Sequence, residues 1–265
     1  MLALNSVFGL QRSVRTLWSG CAVVEPNLEG EDIAAWLQRT GVTFMTLSPI
    51  GLRRVLECLP EDAVRCPLAL IELGGGLVPA SVQAMAAQRL PAALLQSSYG
   101  STETGPVAAA PLRALGGRAD AVGFAQAGVR IEIVDAEGNV LPTGTEGRVR
   151  VQSAHAATTY IDNPEATART FRDGWVYPND NGVLDPDGAL RLLGRVDDVI
   201  NIDGVKVAPQ ALEDVLLTLA DLREVAIFSI VGGNGMTTLG AAIVPNKPLN
   251  ADAFRERCRV KLGRY

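Results

Sequence analysis

The 265-residue chain has one histidine, His155, and four cysteines, Cys21, Cys58, Cys66 and Cys258. No two cysteines form a CxxC pair and none stands at metal-ligand spacing from the histidine, so the residue set of a zinc site is missing. Cysteines scattered in this way read as free thiols in a reducing compartment. Aromatic residues are scarce, at 5%. No apolar run reaches the roughly 18 residues of a membrane helix, and no basic stretch leads into an apolar one at the start, as in a secretory leader. The expectation is a cytoplasmic protein without a membrane span. Lysine and arginine total 24 against 29 aspartate and glutamate, a formal charge of −5. With no basic cluster, the electrostatic footprint of a nucleic-acid binder is absent, and no nucleic-acid partner is expected.

What the chain does have is apolar mass, 48% of its residues, rich in Ala, Val and Leu. That is enough for a sizeable core and about two domains. From Ile33 to Ser98 helical and strand patterns alternate. "EDIAAWLQRTG" spaces Ile33, Trp36 and Leu37 as one helix face and stops at Gly41. "VTFMTLSP", "LALIEL" and "PAALLQS" read as strands. Between them "GLRRVLECL" and "PASVQAMAAQRL" read as helices, the second with Pro79 at its first helical position. Strands separated by helices of this length predict parallel βαβ units. From Gly116 to Leu193 short strands ("VRIEIVD", "EGRVRVQS", "ALRLLG") lie between turn signals, which predicts an antiparallel region. One helix interrupts it at "NPEATARTF", with Asn163 as N-cap and Pro164 at the first position. From Val196 a small α+β module follows. The expected fold class is thus α/β, with a βαβ parallel-sheet part (1–115), an antiparallel β subdomain (116–195) and a small α+β C-terminal domain (196–265) that stops without a final element.

Two stretches carry chemistry. Gly74, Gly75 and Gly76 follow directly on a strand, where missing side chains let a ligand approach the backbone. "SYGSTETG", Ser98 to Gly105, follows the next strand. In open α/β sheets ligands sit beyond the carboxyl ends of strands, so both loops are expected at one edge. Each residue type there has a use: the Tyr99 ring to stack a base, Gly100 for a tight turn, the Thr102 hydroxyl for a phosphate, and the Glu103 carboxylate as a hard ligand for magnesium. The competing reading is an ordinary solvated turn. His155 has no carboxylate or cysteine at metal spacing and reads as a surface or structural residue.

At this point the residues carry a resemblance. "YGSTE" is similar to the adenine-binding motif of the adenylate-forming superfamily, which includes acyl-CoA synthetases, adenylation domains of peptide synthetases and luciferases. "GGGLVP" (74–79), "NPEATARTF" (163–171), "DGWVYPND" (173–180) and "GRVDDVINIDGVKVAPQALE" (194–213) resemble further family segments, in family order. The resemblance implies that Gly74, Gly75 and Gly76 line the adenine and the acyl group and that Tyr99 stacks on adenine, with Gly100 beside it. It implies that Thr102 and Glu103 meet the α-phosphate and Mg²⁺, that Asp180 grips the ribose hydroxyls, and that Arg195 contacts the ribose or phosphate. Asp197 would be the hinge of the small domain, and Gly204 and Lys206 would lie near the path of the thiol acceptor. ATP or AMP, Mg²⁺, a small carboxylic acid, and CoA or an acyl carrier protein bearing phosphopantetheine are the implied cofactors and partners.

There are departures. Asn179 stands where the family has glycine before the ribose aspartate, and asparagine is the next most tolerant residue for a left-handed backbone. Thr159 replaces the glycine before Tyr160, and Ala211 stands where a glutamate is common. The family's phosphate loop has no counterpart between Met1 and Gly74, and its late catalytic lysine none up to Tyr265. Since losing one preorganised charge contact costs roughly 10²–10³ in rate, the 265 residues alone are expected to turn over weakly or not at all. Three readings stand open: the central and late part of an AMP-forming acid–thiol ligase, an AMP- or acyl-binding regulatory module derived from one, and a decayed fragment. The acyl pocket is expected near Ser48–Pro49, Gly74–Gly76 and Tyr99–Pro106, with Ala108, Ala109 and Ala110 leaving room for the acid if they line it.

Overall fold

The computed structural model describes residues 7–24, 32–60, 66–118, 120–198, 200–202, 205–207, 209–231 and 237–262. These fall into two compact units, Met1–Pro178 with Val183–Leu192, and Asn179–Gly182 with Leu193–Tyr265.

The larger unit begins with helix α1 (Val7–Trp18), whose Leu10, Val14, Leu17 and Trp18 are exposed. Then come α2 (Ile33–Thr40), β1 (Phe44–Leu47), α3 (Pro49–Cys58), β2 (Leu70–Leu73), α4 (Ala80–Arg89) and β3 (Leu94–Ser101). The sequence states each boundary in physical terms. Gly41 closes α2 in the left-handed conformation, at φ 63°, where a Cβ would be strained. Ser48 opens α3: its hydroxyl accepts from the Gly51 N–H at 3.1 Å, and Pro49 fills the first turn. Pro79 differs from expectation by one place. It stands at the N-cap position, and α4 starts at Ala80.

Strands β1, β2 and β3 pair in parallel, Phe44 with Leu70 and Leu70 with Leu94, as the βαβ pattern predicts. Between them and the helices Leu37, Leu47, Leu52, Leu56, Ile71 and Leu73 are fully buried, each stabilising the fold by about 1.5–3 kcal/mol relative to exposure. This core fixes the plane of the sheet, and with it the edge at which β2 and β3 end.

β3 turns directly into β4 (Gly105–Pro111), an antiparallel strand that the sequence reading had not distinguished. Strands β5 (Ala121–Ala125), β6 (Val129–Val134), β7 (Gly147–Ser153), β8 (Phe171–Arg172), β9 (Trp175–Val176), β10 (Asp180–Leu184) and β11 (Ala189–Arg195) follow, with helix α5 (Pro164–Thr170) between β7 and β8. Among the described residues they join one mixed sheet in the order β1-β2-β3-β4-β5-β11-β10-β7-β9-β8, with β6 on β7. The pairings around β4 to β9 are antiparallel, as the turn-punctuated texture predicts. At α5 the Asn163 side chain accepts from the Ala166 N–H at 3.0 Å, and Pro164 lies in the first turn.

The smaller unit holds two antiparallel pairs. β12 (Ile200–Ile202) pairs with β13 (Val205–Val207), and β14 (Leu222–Val231) pairs with β15 (Thr237–Pro245). Helices α6 (Pro209–Leu219) and α7 (Ala251–Leu262) complete it. Its core gathers Leu216, Leu222 and Phe254. Asn250 caps α7 by accepting from the Ala253 N–H at 3.0 Å. Among the described residues no helix is long and apolar enough to cross a membrane.

Candidate functional site

Glycine-rich residues and the polar hairpin meet at the carboxyl edge of β2 and β3. Leu73 lies opposite Ser97, so Gly74 is level with Ser98, and a Cβ on Gly74 would stand 3.4 Å from the Ser98 carbonyl oxygen. The three glycines serve different ends. At Gly74 the space is already taken, since an added Cβ would lie 2.9 Å from the Phe8 ring of α1. Gly75 has φ 79° with nothing within 4 Å of a Cβ, so its conformation, not crowding, requires glycine. Gly76 is 3.6 Å from the Pro49 ring by the same measure, which brings the start of α3 to this edge.

The hairpin explains the double character of "SYGSTETG". Two of its hydroxyls hold the turn together. The Thr104 Oγ1 is buried, accepts from the Ser101 N–H at 2.9 Å and donates to the Gly105 carbonyl at 2.9 Å. The Ser101 Oγ accepts from the N–H groups of Glu103 and Thr104, both at 3.2 Å. Ser101 and Thr104 thus serve the turn itself, and Thr104 does so buried, not solvated. Gly100 is needed for close approach: a Cβ there would lie 2.2 Å from the Gly105 carbonyl oxygen, at the point where the β3–β4 register slips. It stands within the strand, not in a separate turn as expected.

With the turn self-supporting, Thr102 is exposed and Glu103 half-buried at the tip. Tyr99 is half-buried and packs on the cluster containing Val107, Ala108 and Val151. Ala108 and Ala110 are buried in core clusters of the sheet. His155 is exposed, as expected, and sits beside Gly105, where an added Cβ would be 3.3 Å from its own.

The segment 157–160 touches the hairpin tip. The Ala157 N–H donates to the Glu103 carbonyl at 2.8 Å, and the Tyr160 hydroxyl donates to Glu103 Oε1 at 2.7 Å. No local signal in the sequence gives Tyr160 this contact, because the pair is 57 positions apart. The departure at Thr159 also has an account. Asp162, Asp173 and Asn179 are the non-glycine residues at positive φ among those described, so Thr159 does not take a left-handed backbone that would favour glycine.

A second group lies in the smaller unit. Asp180 is largely buried, with its carboxylate 3.8 Å from the exposed Arg195 guanidinium. Asn179 adopts φ 69°, the left-handed conformation that glycine would take. Its carbonyl accepts from the Val196 N–H at 2.8 Å and its side chain donates to Asp197. Asp180, Arg195, Asn179 and Asp197 are thus brought together. Gly204 lies outside the described residues. Lys206 pairs with Asn201 through the backbone of β13, and its side chain is likewise outside the description.

The residues just before Asp180 are anchored in the larger unit. Trp175 is flanked by Arg150 and Arg130, whose guanidinium carbons lie 4.4 and 5.3 Å from its ring centre. Arg150 also bonds Glu132, at 2.8 Å from Nε, and Tyr177 Oη at 3.3 Å. Burial alone would lower the Arg150 pKa, but the bonds to Tyr177 and Glu132 outweigh it and raise it.

Among the described residues no cluster of three or more His, Cys, Asp or Glu side chains could hold a metal. The Glu103 carboxylate at the hairpin tip does suit magnesium, which keeps most of its shell in water and phosphate and takes one or two protein carboxylates.

Comparison with known proteins agrees with this geometry. The family described as AMP-binding enzyme matches residues 4–161, more than half of the chain. A 2-succinylbenzoate–CoA ligase of Bacillus cereus is 28% identical over 265 residues, covering 98% of this chain and 54% of the relative. A long-chain-fatty-acid–CoA ligase of Salmonella typhimurium is 28% identical over 196 residues, 74% of this chain and 35% of the relative. The amide bond synthetase McbA from Marinactinospora thermotolerans superposes with TM-score 0.83 at 28% identity, over 99% of this chain and 54% of that one. The O-succinylbenzoate coenzyme A synthetase MenE of Bacillus subtilis, solved in complex with AMP, shares the fold with TM-score 0.82 at 24% identity, over 98% of this chain and 53% of that one. The chain spans about half the length, or less, of the curated relatives it matches. The parallel strands ending at a glycine loop and a tyrosine hairpin, and a family match over most of that unit, lead to one conclusion: this chain belongs to the AMP-binding enzyme family.

Proposed function

We propose that this chain is the nucleotide-handling part of an AMP-forming ligase, which activates a carboxylic acid as its acyl-adenylate and passes the acyl group to a thiol, that of CoA or of a carrier-borne phosphopantetheine. The observation that carries the reading is the hairpin at the carboxyl edge of β3. It is stabilised by Ser101 and Thr104, which leaves Thr102 and Glu103 at its tip.

In this reading a carboxylate oxygen of the acid attacks the α-phosphorus of ATP, the bond to the β-phosphate oxygen breaks, and pyrophosphate leaves. The thiolate then attacks the acyl carbonyl and AMP departs. The chain's residues act by binding and orientation, which supply most of the acceleration when the barrier is chiefly charge. Tyr99 offers a rigid ring face to adenine. Thr102 donates its hydroxyl to the α-phosphate. Asp180, mostly shielded from water, accepts from both ribose hydroxyls, and Arg195, 3.8 Å from it, adds positive charge to the ribose or phosphate. Asp197 is the hinge position, with Gly204 and Lys206 on the thiol path. Magnesium, where bound, neutralises phosphate charge, with Glu103 as its carboxylate ligand. The relatives named for succinylbenzoate and long-chain fatty acids support a carboxylic acid as the substrate class.

The test is calorimetric titration of the folded chain with AMP, beside Asp180→Ala. Two hydrogen bonds to a charged group, each worth roughly 1.5–3 kcal/mol, predict at least a hundredfold loss of affinity. Equal affinity in the two proteins would overturn the ribose assignment.

A further inference from the structure

We propose that Tyr160 is a positioning residue for Glu103, holding the carboxylate at the hairpin tip in the rotamer that meets magnesium-bound phosphate. The inference rests on the reading of Glu103 as the magnesium ligand and extends it to a residue outside the adenine motif.

A glutamate at a hairpin tip has three rotatable bonds, and a contact that fixes them preorganises the carboxylate. Ser101 and Thr104 secure the turn's backbone, not the Glu103 side chain. The side chain receives a hydrogen bond from the Tyr160 hydroxyl, at 2.7 Å to Oε1. Tyr160 is itself held at several points. Its ring meets Phe171 edge-on, with centres 5.2 Å apart and planes at 61°. Its N–H donates to Thr167 Oγ1 at 3.0 Å, and that hydroxyl donates to the Asn163 carbonyl at 2.8 Å. Asn163 is the cap of α5, so the helix start holds the tyrosine and the tyrosine holds the carboxylate. The bond from the Ala157 N–H to the Glu103 carbonyl, at 2.8 Å, ties the two segments together next to this contact.

The donor's chemistry fits the task. A phenol is neutral, so it orients the carboxylate without cancelling the charge that a cation needs. A lysine or arginine at the same place would compete with the metal. A preorganised acceptor also loses less freedom when the ion arrives.

The experiment compares ATP affinity with Mg²⁺ and with EDTA, by calorimetry, in the full chain and in Tyr160→Phe, Thr167→Ala and Glu103→Gln. Tyr160→Phe keeps the ring on Phe171 and removes the hydroxyl. The expected result is that it cuts the magnesium-dependent gain in ATP affinity about tenfold, the scale of one hydrogen bond to a charged group. AMP affinity in EDTA stays within about twofold, a split that general loosening would not give. Thr167→Ala, which frees the tyrosine from α5, lowers the same gain by a smaller factor and serves if Tyr160→Phe folds poorly. If Tyr160→Phe keeps the gain while Glu103→Gln loses it, the positioning role is overturned and the ligand reading stands. If Tyr160→Phe weakens AMP in EDTA as much as Mg·ATP, the role is structural and the proposal fails. If Glu103→Gln keeps the gain, or the unaltered chain has none, the ligand reading falls and the proposal with it.

Discussion

At Gly100 a single methyl group should do severe harm, and the structure gives the scale. A Cβ there would stand 2.2 Å from the Gly105 carbonyl oxygen, 3.1 Å from its carbonyl carbon and 3.2 Å from the Pro106 Cα, where ordinary contact begins at 3.4 Å. All three atoms are backbone, so no side chain can swing aside. To admit the methyl group, β3 and β4 must separate where their register slips, straining the bonds that Ser101 and Thr104 make. Overpacking that flexible side chains can absorb costs about 1–3 kcal/mol, so Gly100→Ala is expected at about 3 kcal/mol or above. Two nearby glycines serve as controls. Gly75→Ala meets open space but a φ of 79°, a conformational penalty of about 1–2 kcal/mol. Gly76→Ala meets only the Pro49 ring at 3.6 Å and has no such φ, so its effect should lie within about 0.5 kcal/mol. Urea denaturation of the three variants, read with AMP affinity, checks the order. Gly100→Ala as stable as Gly76→Ala would refute the claim that backbone proximity dictates glycine there.

Glu132 is buried and bonded by Arg150 and Arg130, so Glu132→Ala leaves Arg150 partly desolvated beside Trp175. A loss of about 3 kcal/mol is expected, and chemical denaturation showing under 1 kcal/mol would count against it. Asn179 at φ 69° predicts that Asn179→Ala destabilises by about 1 kcal/mol while Asn179→Gly is near neutral, measurable by thermal unfolding. Burial raises the Cys258 thiol pKa. Its thiolate is therefore scarcer than that of an unburied thiol at the same pH, and Cys258 should react with a thiol reagent at pH 8 more slowly than free cysteine does. Because its folded pKa is raised, its contribution to stability is complete below the unfolded thiol's pKa and is lost as pH rises through the folded value. Cys258→Ser should then flatten the alkaline limb of the stability curve.

Most of the architecture was legible in the residues. Helix faces such as Ile33, Trp36 and Leu37, and stops such as Gly41 and Ser48–Pro49, are local signals that the backbone obeys within a residue or two. The parallel order of β1, β2 and β3 follows from helices of crossover length between apolar strands. The β4 strand was not legible, because "GPVAAAP" has neither alternation nor β-branched density. Its strand state comes from the partners on both sides, β3 and β5. At the candidate site the sequence placed the glycine loop and the tyrosine motif at one edge, since both follow strands of one parallel sheet.

By itself, the sequence determined the mixed α/β class, the edge where chemistry concentrates and the motif order of the family, because each is written in local pattern and spacing. Only the tertiary structure divided the polar cluster, assigning Ser101 and Thr104 to the turn and leaving Thr102 and Glu103 at its tip. It also decided that Gly74 makes room for Phe8, that Ala108 and Ala110 are core, and that Tyr160 reaches Glu103. These are contacts between segments tens of residues apart, and side-chain direction and strand register, which no local pattern encodes, decide them.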